Sequence, residues 1–352
     1  MIRVLIIDDS PCAAEFLAAI FASDQEFRVV GTAGSAAAGI RMVERLRPDI
    51  VSMDFTMPDM DGFEATRRIM STHPTPIVIV SSLYDRHAVS LSFKSLEAGA
   101  LAILSKPPSP ASAEFPPQKQ ELLQTFRAMA GVRVIRRTAP RPATPLDPGP
   151  GVRQPLFTPS GRPEISLIAM GASTGGPQAL HDILRLLSPR PRVPIVIVQH
   201  IIPGFTEGMA AWLEQASGLP VSVVVGSETF RGGHVYLAPQ GVHLEVTPEG
   251  RGRLVDGAPE HGVRPSVSRL FRSVAACYGA TALGVLLTGM GKDGAAELRL
   301  MRESGAMTIA QDRESSIVHG MPGEAIRLRG ASLVLPPHAI AATINSLVCR
   351  ED

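Results

Sequence analysis

Two groups of side chains have the residue types and spacing to do chemistry. The first is built on carboxylates: Asp8 and Asp9 follow the apolar run "RVLII", and Asp54 follows "DIVSM". Ser81 closes "PIVIVS" and Lys106 closes "LAILS". Carboxylates gathered at one end of a sheet repel each other unless a hard cation sits among them, and Mg²⁺ takes oxygen ligands while keeping some of its water. A hydroxyl and an ammonium at adjoining strand ends make the set suited to phosphoryl chemistry. An acidic pair by itself is often a solvated loop; the three further polar strand ends argue against that here.

The second group starts from "GASTGGPQAL", residues 171–180, where an apolar run gives way to a helical pattern. A phosphate-cradling loop would need G-x-x-x-x-G-K-[ST], and no lysine follows Gly175 and Gly176. A dinucleotide fingerprint fails on its first glycine spacing. The stretch does match G-x-S-x-G, a sharp turn that presents a serine, with Gly171 and Gly175 permitting the turn around Ser173. Small residues before a helix also serve for packing and capping, so the turn alone leaves both readings open. A nucleophilic serine needs a base. Of nine histidines, His200 ends the strand-like "PIVIVQH" one βα unit later; a structural histidine bonded to backbone is the alternative. Asp293 in "LLTGMGKDGAA" is a candidate to orient it, or else a cap for the helix that follows. The order Ser, His, Asp differs from that of the α/β-hydrolases, but a triad is defined by geometry and not by order.

These residues need strands that end together. Apolar runs alternate with helical periodicity from residue 1 to about 106, with a further helix expected at "KQELLQTFRAMAG", and alternation resumes beyond residue 163. Such alternation implies parallel sheets covered by helices. Between them, "RRTAPRPATPLDPGPGVRQPLFTPSGRP" is proline-rich and aperiodic, read as an extended, solvated linker. The expected organisation is therefore residues 1–135, a linker at 136–162, and residues 163–352. With 352 residues, 45% hydrophobic and 19% charged, the chain has material for two cores. A net charge of +1 gives no sign of nucleic-acid binding. The three cysteines, Cys12, Cys277 and Cys349, are isolated, as expected in a reducing compartment. No apolar run reaches membrane-spanning length, and the expectation is a cytoplasmic protein with no membrane insertion.

"IIDDS", "MDFTMPDMDG", "VSS" and "SKP", in this order and spacing, resemble the response-regulator receiver domain of two-component signalling. The resemblance implies a flavodoxin-like (βα)5 fold in which Asp54 accepts a phosphoryl group. It further implies Mg²⁺ held by Asp8, Asp9, Asp54 and the Thr56 carbonyl, with Ser81 and Lys106 responding to the phosphate. Ile103 departs from it, standing where such domains usually carry an aromatic switch residue.

"GASTGGP", "VQHIIPGFTEGMAAWL", "VYLAP", "RPSVSRLF", "LLTGMGKDGA", "IAQD" and "SSIVHGMPGEAI" resemble the catalytic domain of the chemotaxis protein-glutamate methylesterases, the CheB family. This implies a doubly wound, mostly parallel α/β sheet with a small β insertion. Ser173 is then the nucleophile, His200 the general base and Asp293 its orienter, with Thr174 and Met290 at the oxyanion hole. The implied reaction is hydrolysis of glutamate γ-methyl esters on methyl-accepting chemotaxis receptors, with deamidation of receptor glutamines. The histidine kinase of the pathway would be the phosphodonor, the hydrolase would need no cofactor, and the protein would act as a monomer. Ser268 stands where aspartate is usual, and Gly323 where a basic residue is usual. A phosphoacceptor domain and a hydrolase on one chain lead to a last expectation: the unphosphorylated receiver covers the catalytic cleft.

Overall fold

The computed structural model describes all residues except 82–92, 133, 135–163, 189, 202–203 and 349–352. The proline-rich segment, the boundaries on either side of it and Cys349 fall outside the described residues.

The N-terminal half is a five-stranded parallel sheet of order β2-β1-β3-β4-β5. Its strands are β1 Ile2–Ile7, β2 Phe27–Ala33, β3 Ile50–Met53, β4 Ile77–Ser81 and β5 Ala102–Ser105. Helices α1 Pro11–Ala22, α2 Ala36–Leu46, α3 Gly62–Thr72 and α4 Phe115–Ala130 cover it. Before β5, a helical segment is described at residues 93–98. Their starts follow local chemistry: Ser10, Ser35 and Asp61 each accept a backbone N–H of the helix they cap. β1, β3 and β4 bury nearly every side chain, as strands sandwiched between helices must.

The C-terminal half is a seven-stranded sheet of order β14-β13-β12-β6-β7-β9-β8, with every pairing parallel. Its strands are β6 Leu167–Ala172, β7 Ile195–Gln199, β8 Val221–Val223, β9 Val235–Leu237, β12 Ala282–Leu286, β13 Met307–Gln311 and β14 Leu333–Leu335. The main helices are α5 Gly176–Leu184, α6 Thr206–Ser217, α7 Val267–Tyr278, α8 Ala295–Glu303, α9 Met321–Arg327 and α10 Pro337–Val348. The expected β insertion is the antiparallel pair β10 His243–Val246 and β11 Gly252–Val255.

In both sheets the first strand has a later strand on each side, so the strand order reverses there. Ligands of open α/β sheets bind at that crevice, beyond the carboxyl ends of the strands. It lies between β1 and β3 in one half and between β6 and β12 in the other.

The halves pack against each other. Phe93 stacks on Trp212 at 5.3 Å between ring centroids and meets Phe205 edge-on at 6.1 Å. Trp212 Nε1 donates to Glu97 Oε1 at 2.6 Å, and His181 stacks on the same indole at 4.8 Å. Phe93, Leu96, Phe205 and Trp212 belong to one continuous apolar cluster drawn from both halves.

Candidate active site and phosphoryl site

In the N-terminal sheet, Asp8 and Asp9 leave β1, and Asp54 leaves β3. One oxygen from each lies within 4.8 Å of the others. Lys106, one residue past β5, reaches into this group, with Nζ 2.7 Å from Asp8 Oδ2 and 3.0 Å from Asp54 Oδ2. Burial pushes the Asp8 carboxyl up, and the Lys106 ammonium works against that shift. Burial would lower the Lys106 pKa, but the hydrogen bonds it donates to Asp8 and Asp54 outweigh it, and the lysine stays charged. Ser81 is buried at the end of β4. Three hard oxygen donors with an ammonium opposite fit Mg²⁺ and a phosphoryl group. The described residues contain one cis peptide bond, Arg264–Pro265, so the Lys106–Pro107 link is trans.

In the C-terminal sheet, Ser173 is the first residue past β6, His200 the first past β7, and Asp293 lies in the loop between β12 and α8. His200 Nε2 lies 2.9 Å from Asp293 Oδ2. Asp293 is fully engaged: Oδ2 also accepts the Val267 N–H at 2.7 Å, while Oδ1 accepts the Ser266 hydroxyl at 2.8 Å and the Ser268 N–H at 3.0 Å. Burial alone would raise the Asp293 pKa. The His200 hydrogen bond and charge, with donors from Ser268, outweigh burial and hold it well below the usual carboxylate range.

The expected alternative role of Asp293, capping the helix that follows it, is corrected here. Gly294 is the N-cap of α8, in left-handed conformation. Asp293 instead caps a remote helix, α7, through the N–H groups of its first two residues. Gly171 also has another role than the turn. It lies inside β6, and a Cβ there would come within 2.2 Å of Val267 Cγ1, so it lets α7 approach the strand. The left-handed residue of the turn is Gly175, with φ +77° and Ile317 packed where a Cβ would project.

Neither the Thr174 nor the Met290 backbone N–H donates to an acceptor among the described residues. The loop carrying Met290 presses on Ser173: a Cβ on Gly289 would lie 2.7 Å from Ser173 Cβ. Ser173 Oγ makes no hydrogen bond among the described residues. Ser173 and His200 therefore share a crevice without a direct link in this arrangement, which is common for candidate nucleophile and base before substrate enters.

Several positioning groups were not singled out from the sequence. Gln199 Nε2 donates to the carbonyls of both Ser173 and His200, tying the Ser173 turn to the end of β7. Thr288 Oγ1 donates to the Thr174 carbonyl and accepts the Val318 N–H. Gln311 Oε1 accepts the Thr288 N–H, and its amide holds Ser315. Their only sequence signal is a polar residue closing an otherwise apolar strand. Ser268, flagged as a departure, accepts the Gly294 N–H and donates to Glu297, bracing the start of α8.

Ser173, Thr174 and His200 open onto a cavity of about 290 Å³ whose other wall is the N-terminal half. That wall comprises Phe93 and Leu96, Ile103 on β5, and the α4 stripe Gln118, Glu121 and Thr125. The stripe follows helical spacing, while Leu122, Phe126 and Met129 of the same helix are buried in the N-terminal core. Glu121 keeps solvent contact through the cavity, yet burial by both halves pushes its carboxyl up, with the His200 charge opposing. Ile317 and Val318 pack against the N-terminal core cluster. No helix among the described residues is long and apolar enough to cross a membrane.

Residues 168–344 match the family model of the CheB methylesterase, and residues 4–113 that of the response regulator receiver domain. The protein-glutamate methylesterase/protein-glutamine glutaminase 1 of Syntrophus aciditrophicus is 48% identical over 354 residues, covering 99% of this chain and 98% of its own. A counterpart from Geobacter metallireducens is 44% identical over 352 residues, covering all of both chains. The crystal structure of the Thermotoga maritima CheB methylesterase catalytic domain aligns at 35% identity with a TM-score of 0.51, covering 53% of this chain and 100% of that one.

Proposed function

The chain belongs to the CheB methylesterase family and carries a response regulator receiver domain. On that premise we propose that it hydrolyses glutamate γ-methyl esters of chemoreceptors, releasing methanol, under the control of phosphorylation at Asp54. Deamidation of receptor glutamines is the same acyl transfer with ammonia as leaving group, in keeping with the double name of its relatives.

The observation that carries this reading is the His200–Asp293 pair at the crevice of the C-terminal sheet, beside the Ser173 turn. Asp293 stays ionised and holds one ring nitrogen of His200, leaving Nδ1 to take the Ser173 proton. Ser173 Oγ then bonds to the ester carbonyl carbon, and the carbonyl oxygen takes up negative charge. The N–H groups of Thr174 and Met290, which donate to no acceptor among the described residues, are the donors for that oxygen; losing one such donor costs about 3 to 4 kcal/mol of transition-state stabilisation in comparable sites. As the tetrahedral centre collapses, the bond to the methoxy oxygen breaks and His200 returns the proton, releasing methanol. Water, deprotonated by His200, then splits the acyl-enzyme to leave a glutamate carboxylate.

Control resides in the cavity shared by the two halves. With Glu121, Gln118 and Ile103 lining the cavity opposite Ser173 and His200, the receiver would stand in the way of a receptor helix. Asp8, Asp9 and Asp54, with the Thr56 carbonyl, would hold Mg²⁺, which supplies charge neutralisation when the phosphoryl group arrives. Ser81 and Lys106 would then bind the new phosphate oxygens, and Lys106 would leave its present position between Asp8 and Asp54. Lys106 follows directly on β5, whose residues Ala102, Ile103 and Leu104 line the cavity, so its movement bears on that wall.

The test is methanol release from methylated receptor. Ser173→Ala should abolish it while leaving Asp54 phosphorylation intact; turnover near the wild-type rate in that variant would contradict the assignment.

A further inference from the structure

Beside the catalytic crevice lies a second concavity, of about 740 Å³, that the proposed chemistry does not use. It is lined by His261, Gly291, Lys292, Arg313, His319, Gly320, Gly323, Glu324 and Arg327. Glu324, the only anion in this lining, is bridged to Arg327 at 2.6 Å. Lys292 and Arg313 are exposed, and neither forms an ion pair among the described residues. The lining itself holds three cations, Lys292, Arg313 and Arg327, against Glu324, while Asp312 and Glu314 flank Arg313 outside the lining and act on His319. The unbalanced charge of the cleft is therefore positive. Gly323 contributes no side chain, and a Cβ there would come within 2.9 Å of the His319 ring, so this glycine lets that ring lie close against the backbone.

The cleft is one loop's thickness from the nucleophile. Gly291 and Lys292 belong to the segment that carries Met290 and Asp293. Gly289 accepts hydrogen bonds from the Gly320 and Met321 N–H groups, and on its other side it touches Ser173. A polypeptide with its ester over Ser173 would thus run its neighbouring residues along Lys292 and Arg313. Every lining residue comes from the C-terminal half, so the cleft stays open while the receiver covers Ser173.

We propose that this cleft docks an acidic stretch of the substrate polypeptide, next to the glutamyl ester being hydrolysed, with Lys292 and Arg313 pairing its carboxylates. The inference rests on the methylesterase reading for the identity of the substrate. Its chemistry is self-consistent, because each hydrolysis turns a neutral ester into a carboxylate, and a segment with several such sites becomes more anionic as the reaction proceeds. Docking here would favour continued action on a segment already partly hydrolysed.

The test uses the full chain and two fluorescently labelled helical peptides, each with one glutamate γ-methyl ester, flanked by glutamates in one and glutamines in the other. Binding is read by anisotropy in the Ser173→Ala background, so that it does not depend on turnover. The glutamate-flanked peptide should bind about tenfold more tightly at low salt, the size expected of two exposed ion pairs, and the preference should shrink as salt is added. Arg313→Glu should erase the preference, and Arg313→Lys should keep it. Equal affinity for the two peptides, or a preference that survives Arg313→Glu, would overturn the proposal. Methanol release by the chain with Ser173 intact, with Mg²⁺ and a small phosphodonor present, is read separately: binding preference without release from either peptide would count against the methylesterase reading and leave the docking cleft standing.

Discussion

The Trp212 indole N–H donates to the Glu97 carboxylate at 2.6 Å, joining a helix of the catalytic sheet to the helical segment of the receiver. Trp212 is the only tryptophan of the chain, so its emission reports directly on this contact. Glu97 is about half exposed and Trp212 is buried, so the bond contributes on the order of 1 kcal/mol to docking. Glu97→Ala should then raise unphosphorylated turnover by roughly fivefold and shift Trp212 emission to the red. Unchanged emission and unchanged basal turnover in this variant would mean that the contact does not hold the halves together.

Glu121 gives the closed arrangement a pH dependence. Burial raises its carboxyl above the ordinary 4.5. A carboxyl raised on docking favours the docked state at low pH, and that contribution is lost as pH rises through the raised value. Closure, followed by Trp212 emission, should therefore weaken as pH rises above 4.5 in the wild type. Glu121→Gln removes the ionisation, so this component should vanish and closure at neutral pH should tighten. An identical pH profile in both proteins would exclude Glu121 as its source.

Asp293 both orients His200 and caps α7, so its replacement should affect rate and stability together. Asp293→Asn should lower kcat by about 10³- to 10⁴-fold, as loss of an orienting carboxylate does elsewhere. The sign of the stability effect follows from its depressed pKa. The stabilisation is complete above the ordinary value of 3.8 and is lost as pH falls below it. Urea unfolding at pH 7 and pH 3 should show a smaller pH difference in the variant than in the wild type.

Chelating divalent cations should remove the increase in turnover caused by a small phosphodonor and leave basal turnover unchanged, because only the receiver site has hard-cation ligands among the residues proposed to act. Asp9→Asn should have the same effect at ordinary Mg²⁺ concentrations. Basal methanol release that falls with chelation would place a metal in the hydrolytic step.

The strands were legible because apolar runs such as "PIVIVQ" and "LAILS" admit few other readings, and the polar residues closing them fell together once the sheets were parallel. What escaped was set by contacts remote in sequence. Asp293 reads locally as a cap for α8, but its partners are Ser266, Val267 and Ser268, brought there by the packing of α7 over β6. Gly171 reads as a turn glycine until Val267 is seen against it. Glu121 looks like an ordinary polar position on an amphipathic helix, and only docking of the second sheet turns that stripe toward His200. Ile103, noted for lacking an aromatic ring, proves to line the same cavity.

Control of Ser173 by Asp54 is the central claim, and methanol release from methylated receptor, with and without a small phosphodonor, tests it most directly. The wild type should release methanol slowly alone and many-fold faster with the phosphodonor, whereas Asp54→Asn should stay at the slow rate under both conditions. Equal rates in the wild type with and without the phosphodonor, or full stimulation of Asp54→Asn, would contradict it.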